Sequence, residues 1–223
     1  MQTYDTPTPI TVVLDIPAGR VRFVATDRTD TTVEVLPENA GKGRDVKAAE
    51  ESRIAFDDGV LRIDAPAAKN QYFGPSGSVE VTVRLPAGSG VEAKASCAEF
   101  RAEGRLGDIA VEAATGAIEI DEAASVRLLA HAGDVAVRHL GGPAEISTHK
   151  GDIRVAEAVS GTVVLRTRMG DLSVGAAAGV SASLDAGTGH GRLHNALTHT
   201  AGETADLHIH ATTEHGDITA RSL

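Results

Sequence analysis

Apolar and polar residues alternate one for one over much of the first hundred positions. Ile10, Val12, Leu14 and Ile16 interleave with Thr11, Val13 and Asp15. Val21, Phe23 and Ala25 interleave with Arg20, Arg22 and Val24, and Val79, Val81, Val83 and Leu85 with Glu80, Thr82 and Arg84. A period of two places successive side chains on opposite faces of a strand, one inward and one outward. Pro17-Ala18-Gly19, Asp57-Asp58-Gly59 and Pro86-Ala87-Gly88 punctuate these runs as turns. Two polar stretches, near Glu38–Glu51 and Ala67–Gly77, read as loops. Helix is not expected, because no 3.6-residue apolar stripe lasts beyond about two turns.

From about residue 101 a repeat takes over. Gly-Asp followed by an aliphatic residue occurs at Gly107-Asp108-Ile109, Gly133-Asp134-Val135, Gly151-Asp152-Ile153, Gly170-Asp171-Leu172 and Gly216-Asp217-Ile218. Gly191-Arg192-Leu193 is a degenerate copy, and Gly116-Ala117-Ile118-Glu119-Ile120 falls at half a period. The spacing is 18 residues from Gly133 to Gly151 and 19 to Gly170, then stretches to 21 and 25. Each unit holds two short strands; in Gly151–Met169 these are Ile153–Val155 and Val163–Leu165, divided near Ser160-Gly161. One unit cannot bury its apolar face alone, whereas units stacked at about 4.8 Å per layer form a continuous core and pair the backbone everywhere but at the ends. The expected fold is all-β, a parallel β-helix or β-solenoid with about 18–25 residues per turn. Residues 1–100 form irregular strands continuous with it or capping it, and 101–223 form the Gly-Asp solenoid.

Composition agrees with a narrow interior. The chain has no Trp, and all six of its Phe and Tyr residues (Tyr4, Phe23, Phe56, Tyr72, Phe73 and Phe100) precede residue 101. The repeat must therefore be packed by Val, Ile, Leu and Ala, which suit thin stacked layers. The formal charge of −10 is spread without long blocks. No clustered basic footprint is present, so nucleic acid is not an expected partner. The first residues lack a basic segment followed by an apolar one, and the longest low-polarity stretch, near Ala176–Ala182, is far short of the ~20 residues of a membrane helix. A cytoplasmic location without membrane insertion is the expectation. Cys97, the single cysteine, cannot form an internal disulfide and reads as a small buried hydrophobe.

The stretch Gly74-Pro75-Ser76-Gly77-Ser78-Val79-Glu80-Val81-Thr82-Val83-Arg84-Leu85-Pro86-Ala87-Gly88-Ser89, with Phe73 before it and the Gly-Asp repeats after it, resembles the DUF4097 family. The likeness spans almost the whole chain. That family is labelled "putative adhesin" and is common in actinobacteria. The resemblance implies a β-solenoid and an actinobacterial type, and it carries no catalytic residues or cofactor.

Three constellations bear on chemistry. The Asp ladder (Asp108, Asp134, Asp152, Asp171 and Asp217) would stack like charges about 4.8 Å apart, which a cation would relieve. Calcium β-rolls, however, place the aliphatic residue two positions after Asp and need more glycines, so turn chemistry is the favoured role. All nine histidines follow residue 130, and His131 and His149 both stand two residues before a repeat glycine, which stacks them on adjacent layers. His208 and His210 share a strand face, and with His194 or His199 they are the candidates for a Zn²⁺ site. Solvated surface histidines are the favoured reading, with no metal and no cofactor expected. Asp206-Leu207-His208-Ile209-His210 mimics an amidohydrolase motif, but too little chain follows it to build that barrel. No nucleophile elbow, P-loop or dinucleotide fingerprint is present. Glu112 and Arg138 occupy equivalent repeat positions and are expected to pair across layers.

The repeat region offers carboxylates (Glu112, Glu119, Glu145 and Glu157) but no aromatic sugar platform. The expected function is accordingly a non-enzymatic scaffold or interaction module that contacts a protein partner or itself. A self-assembling filament resembling bactofilins and a β-helix carbohydrate-active enzyme are the alternatives.

Overall fold

The computed structural model describes residues 1–65, 77–198 and 205–223, which form two compact units, Met1–Gly116 and Ala117–Leu223. The second polar stretch, near Ala67–Gly77, lies almost entirely outside the described residues, as do Tyr72, Phe73 and His199.

In the first unit the alternating runs become strands β1 (Gln2–Asp5), β2 (Thr11–Thr26), β3 (Asp30–Pro37), β4 (Arg53–Asp57), β5 (Val60–Asp64), β6 (Val79–Pro86) and β7 (Gly90–Thr115). The organising strand is β2. Its first half runs parallel to β5 and to the start of β7; its second half runs parallel to β6 and to β7 from Cys97 onward. Pro17-Ala18-Gly19 is thus a corner inside one strand rather than a separating turn. Gly19 adopts φ +140°, and a Cβ there would lie 1.7 Å from the Val79 carbonyl oxygen, so only glycine lets β2 pass so close to β6. Asp58 and Gly59, both at positive φ, close the β4–β5 hairpin. Phe23 and Phe100, from paired strands, put their ring centroids 5.5 Å apart inside the core.

One expectation for this unit fails. The polar stretch 38–51 contains helix α1 (Gly43–Glu51), packed against β3 and β6. Its buried positions are only Ala48 and Asp45, too few for an apolar stripe to show in the sequence. Asp45 is held by chemistry instead, its Oδ1 accepting the Ser78 amide at 3.1 Å.

The second unit is a parallel stack. Its strands are β8 (Ile118–Ala132), β9 (Val135–Leu140), β10 (Ala144–Lys150), β11 (Ile153–Ala158), β12 (Gly161–Met169), β13 (Leu172–Ala176), β14 (Ala182–His190), β15 (Leu193–Ala196), β16 (Leu207–His215) and β17 (Ile218–Ser222). One ladder runs β8, β10, β12, β16, β14; the other runs from the start of β8 through β9, β11, β13 and β17 to β15. Inward residues superpose in columns. One is Val126, Ala144, Val163, Ile209 and Leu184; another is Ile118, Val135, Ile153, Leu172, Ile218 and Leu193. Each fully buried Val, Ile or Leu in such a column contributes about 1.5–3 kcal/mol, and aliphatic side chains of this size fill the space without a ring.

The layers do not stack in sequence order. The last repeat, β16–β17, inserts between β12–β13 and β14–β15. The degenerate Gly191-Arg192 repeat is therefore the final layer, and the C-terminal segment Gly216–Leu223 lies within the stack rather than at its end. This explains the degeneracy. Asn195 occupies an inward position and Leu193 is 52% exposed, because no described layer covers them. Among the described residues no helix is long and apolar enough to cross a membrane.

Candidate functional site

The repeat corners of the second unit are its most specific feature. Gly133, Gly151, Gly170 and Gly216 all have φ between +137° and +153°. A Cβ on Gly151 would lie 2.2 Å from the Gly133 carbonyl oxygen, on Gly170 2.1 Å from that of Gly151, and on Gly216 1.9 Å from that of Gly170. The glycines permit the layers to close at sheet spacing, which is why the repeat requires them.

The aspartates are linked in series. The Asp152 amide donates to Asp134 Oδ1 at 2.9 Å, the Asp171 amide to Asp152 Oδ1 at 2.8 Å, the Asp217 amide to Asp171 Oδ1 at 2.7 Å, and the Arg192 amide to Asp217 Oδ1 at 2.8 Å. Each carboxylate thus accepts the corner amide of the next layer. Asp108 belongs to the first unit, where the neighbouring Gly107 amide donates to the Ser89 carbonyl.

A second column, missed in the sequence, seals the same corner from inside. Thr167 Oγ1 donates to the Gly151 carbonyl at 3.2 Å, Thr213 Oγ1 to that of Gly170 at 3.1 Å, and Thr188 Oγ1 to that of Gly216 at 2.9 Å. Thr148, Thr167, Thr213 and Thr188 align in register. The signal was available: each lies three residues before a repeat glycine.

Outside the corner, the ladder sorts the histidines. His131 and His149 do fall on neighbouring layers, with Nδ1 atoms 3.1 Å apart and ring centroids at 4.7 Å. His190 and His215 stack with centroids 4.8 Å apart and planes at 21°. His208 and His210 share the outward face of β16, where His208 Nδ1 meets Ser183 Oγ at 2.9 Å and His210 Nδ1 meets Asp185 Oδ2 at 3.2 Å. His194 lies on β15, in register with Thr219, so it belongs to the other ladder. His199 lies outside the described residues. Among the described residues, no three His, Cys, Asp or Glu side chains are placed to hold a metal ion together. His139 Nδ1 lies 3.2 Å from Glu157 Oε2.

Two pairings depart from expectation. Glu112 pairs with Lys94 at 3.3 Å and Arg138 with Asp121 at 3.4 Å, rather than with each other. Glu112 belongs to the first unit and Arg138 to the second. Cys97 is exposed. The inward phase of β7 shifts from Val91 and Ala93 to Ala98 and Phe100, which leaves Ser96 and Cys97 on the outside of the corner.

Glu145 pairs with Arg166 at 3.3 Å on an exposed face, and Glu157 with His139.

This architecture is matched by solved structures. A "putative adhesin" from Parabacteroides distasonis aligns at 15% identity and TM-score 0.55, covering 100% of this chain and 95% of that one. Another from Bacteroides fragilis aligns at 12% identity and TM-score 0.48, covering 98% and 95%. The first likeness supports the β-solenoid fold. No curated protein matches the chain. The family model for Toastrack DUF4097 matches residues 12–222, nearly the whole sequence and both units of the fold, so the chain belongs to that family.

Proposed function

We propose that the protein acts as a non-enzymatic interaction module that presents the flat outward faces of its second unit to a protein partner or to a second copy. The observation that carries this reading is the outward face of the ladder β8, β10, β12, β16 and β14. Its columns include Arg127, Glu145, Val164, His210 and Asp185, beside Leu129, Ser147, Arg166 and Thr212. Leu129 is 53% exposed amid charges of both signs. Backbone hydrogen bonds on both sides of each inner strand hold these groups on a rigid lattice, so binding them costs little ordering entropy. Five strands at about 4.8 Å by seven residues at about 3.3 Å give a face of roughly 550 Å². A standard interface buries about 800 Å² per partner, so one face alone suits a transient contact. The solved structure from Parabacteroides distasonis, described as a "putative adhesin", agrees with a binding role.

A cytoplasmic location belongs to the same proposal. Cys97 is exposed and has no disulfide partner, a state that a reducing compartment preserves. An actinobacterial origin is what the repeat pattern's family resemblance suggests.

The test is site-specific photocrosslinking in the native host, with the probe at Leu129 or at Arg154 on the outward side of the other ladder. The reading expects one discrete crosslinked species from Leu129 and a different or absent product from Arg154. Identical, diffuse products from both positions would defeat it. Light scattering on the purified chain separates a discrete small species from a filament, and turnover of any polysaccharide substrate would replace the reading with an enzymatic one.

A further inference from the structure

We infer that His131 and His149 form a two-imidazole site for a nitrogen-preferring divalent metal ion, with Cu²⁺ or Zn²⁺ as the class of ligand. Their Nδ1 atoms are 3.1 Å apart. Metal–nitrogen bonds of about 2.0–2.1 Å place two ligands roughly 3.3 Å apart around a tetrahedral ion and roughly 2.9 Å apart at the corner of a square-planar one. The observed separation falls between these two values. Without an ion, the two nitrogens can face each other at this distance only if one carries a proton and the other does not. The rings meet at 74°, edge to face rather than stacked.

The spacing is set by the fold. Both residues stand two positions before a corner glycine with inverted φ, and β8 and β10 hold them in register on either side. The ligands are therefore positioned before the ion arrives, which removes most of the ordering cost of a chelate. Both side chains are exposed, so water or a ligand from another molecule completes the coordination.

The other histidine pairs lack this arrangement. His190 and His215 stack nearly parallel, at 21°, so lone pairs lying in their ring planes do not converge on one point. His208 and His210 are two residues apart along one strand, roughly 6.6 Å, and each already has a partner in Ser183 or Asp185. Nearby charge is mixed. Arg168 follows His149 in the same outward column and Lys150 is adjacent in sequence, while Asp134 and Asp152 stand three residues further along each layer. A weak, exchangeable site is the result, not a structural metal.

The test uses the full chain with Cu²⁺ supplied as its iminodiacetate complex, which leaves two equatorial positions open. Electron paramagnetic resonance should show two imidazole nitrogens on one bound equivalent. His131→Gln and His149→Gln should each weaken binding at least ~10-fold by removing the chelate, whereas His215→Gln should leave it unchanged. Paramagnetic broadening of wild-type amide signals should centre on residues 130–134 and 148–152, a readout that needs no variant to fold. Broadening centred on His208–His210 or His190–His215, or an isotherm unchanged by His131→Gln, would overturn the assignment. So would the absence of binding at millimolar complex.

Discussion

The amide of Asp217 donates to Oδ1 of Asp171 at 2.7 Å, although 46 residues separate them and the Gly191-Arg192 corner lies between them in the chain. The last repeat lies between its predecessor in sequence and the layer before that one. The carboxylate ladder runs in spatial order through Asp134, Asp152, Asp171 and Asp217 to the Arg192 amide. Arg192 ends the ladder because no described layer lies beyond it to need an acceptor. The degenerate residue thus sits where the repeat's chemistry is not required.

If Asp171 serves as an amide acceptor rather than as a charge, its amide isostere should replace it. Asp171→Asn retains Oδ1 and should change stability by less than ~0.5 kcal/mol, whereas Asp171→Ala should cost about 1 kcal/mol. Urea denaturation of the two variants distinguishes the roles. Equal losses would show that the charge, not the acceptor, matters.

Gly170 tests the closeness of the layers. Its φ is +153°, and an added Cβ would lie 2.1 Å from the Gly151 carbonyl oxygen. Gly170→Ala combines an unfavourable backbone region with a clash against main chain, so a loss of at least about 2–3 kcal/mol is expected. At Gly187 a Cβ would meet nothing within 4 Å, and φ there is not inverted, so Gly187→Ala should be near neutral. Thermal denaturation of the pair would show whether corner geometry or glycine content sets the stability.

Ile218 and Leu193 occupy one inward column on adjacent layers, yet Ile218 is fully buried and Leu193 is 52% exposed. Ile218→Ala should cost about 2–5 kcal/mol, as a large-to-small change in a packed core, while Leu193→Ala should cost under ~1 kcal/mol. Hydrogen exchange should follow the same order, with β15 amides less protected than those of β13 and β17. Equal protection would mean that the end layer is covered.

The repeat was legible because its chemistry is local: Gly and Asp at fixed spacing specify a corner, and a period of two specifies which residues face inward. The order of layers was not legible, since parallel stacking offers every repeat a similar surface and the sequence carries no label for its neighbour. Helix α1 escaped because two buried side chains, Asp45 and Ala48, make no periodic stripe. Cys97 was misplaced because one corner in β7 reverses the inward phase, and composition alone cannot show such a reversal. The His131–His149 approach followed from spacing, whereas the pairing of His210 with Asp185 depends on which layer lies beside β16.

Arg28 and Asp30 supply the last prediction. Arg28 Nη2 lies 2.8 Å from Asp30 Oδ2 and its Nε 3.0 Å from Oδ1, a two-point contact. The hydrogen bonds from Arg28 hold the Asp30 carboxyl below the usual aspartate range. Asp30 also stands opposite Asp5 in the β1–β3 register, a like-charge pairing that Arg28 offsets. A folded-state pKa below the unfolded value of about 3.9 contributes stability above that value and loses it as pH falls through the folded pKa. Any contribution should therefore disappear in acid, below the usual aspartate range, and salt should weaken it because the pair is solvated. Carboxyl-carbon NMR should show Asp30 titrating below the usual aspartate range, and Arg28→Gln should move its midpoint upward. An Asp30 midpoint unmoved by that substitution would show that the guanidinium does not set it.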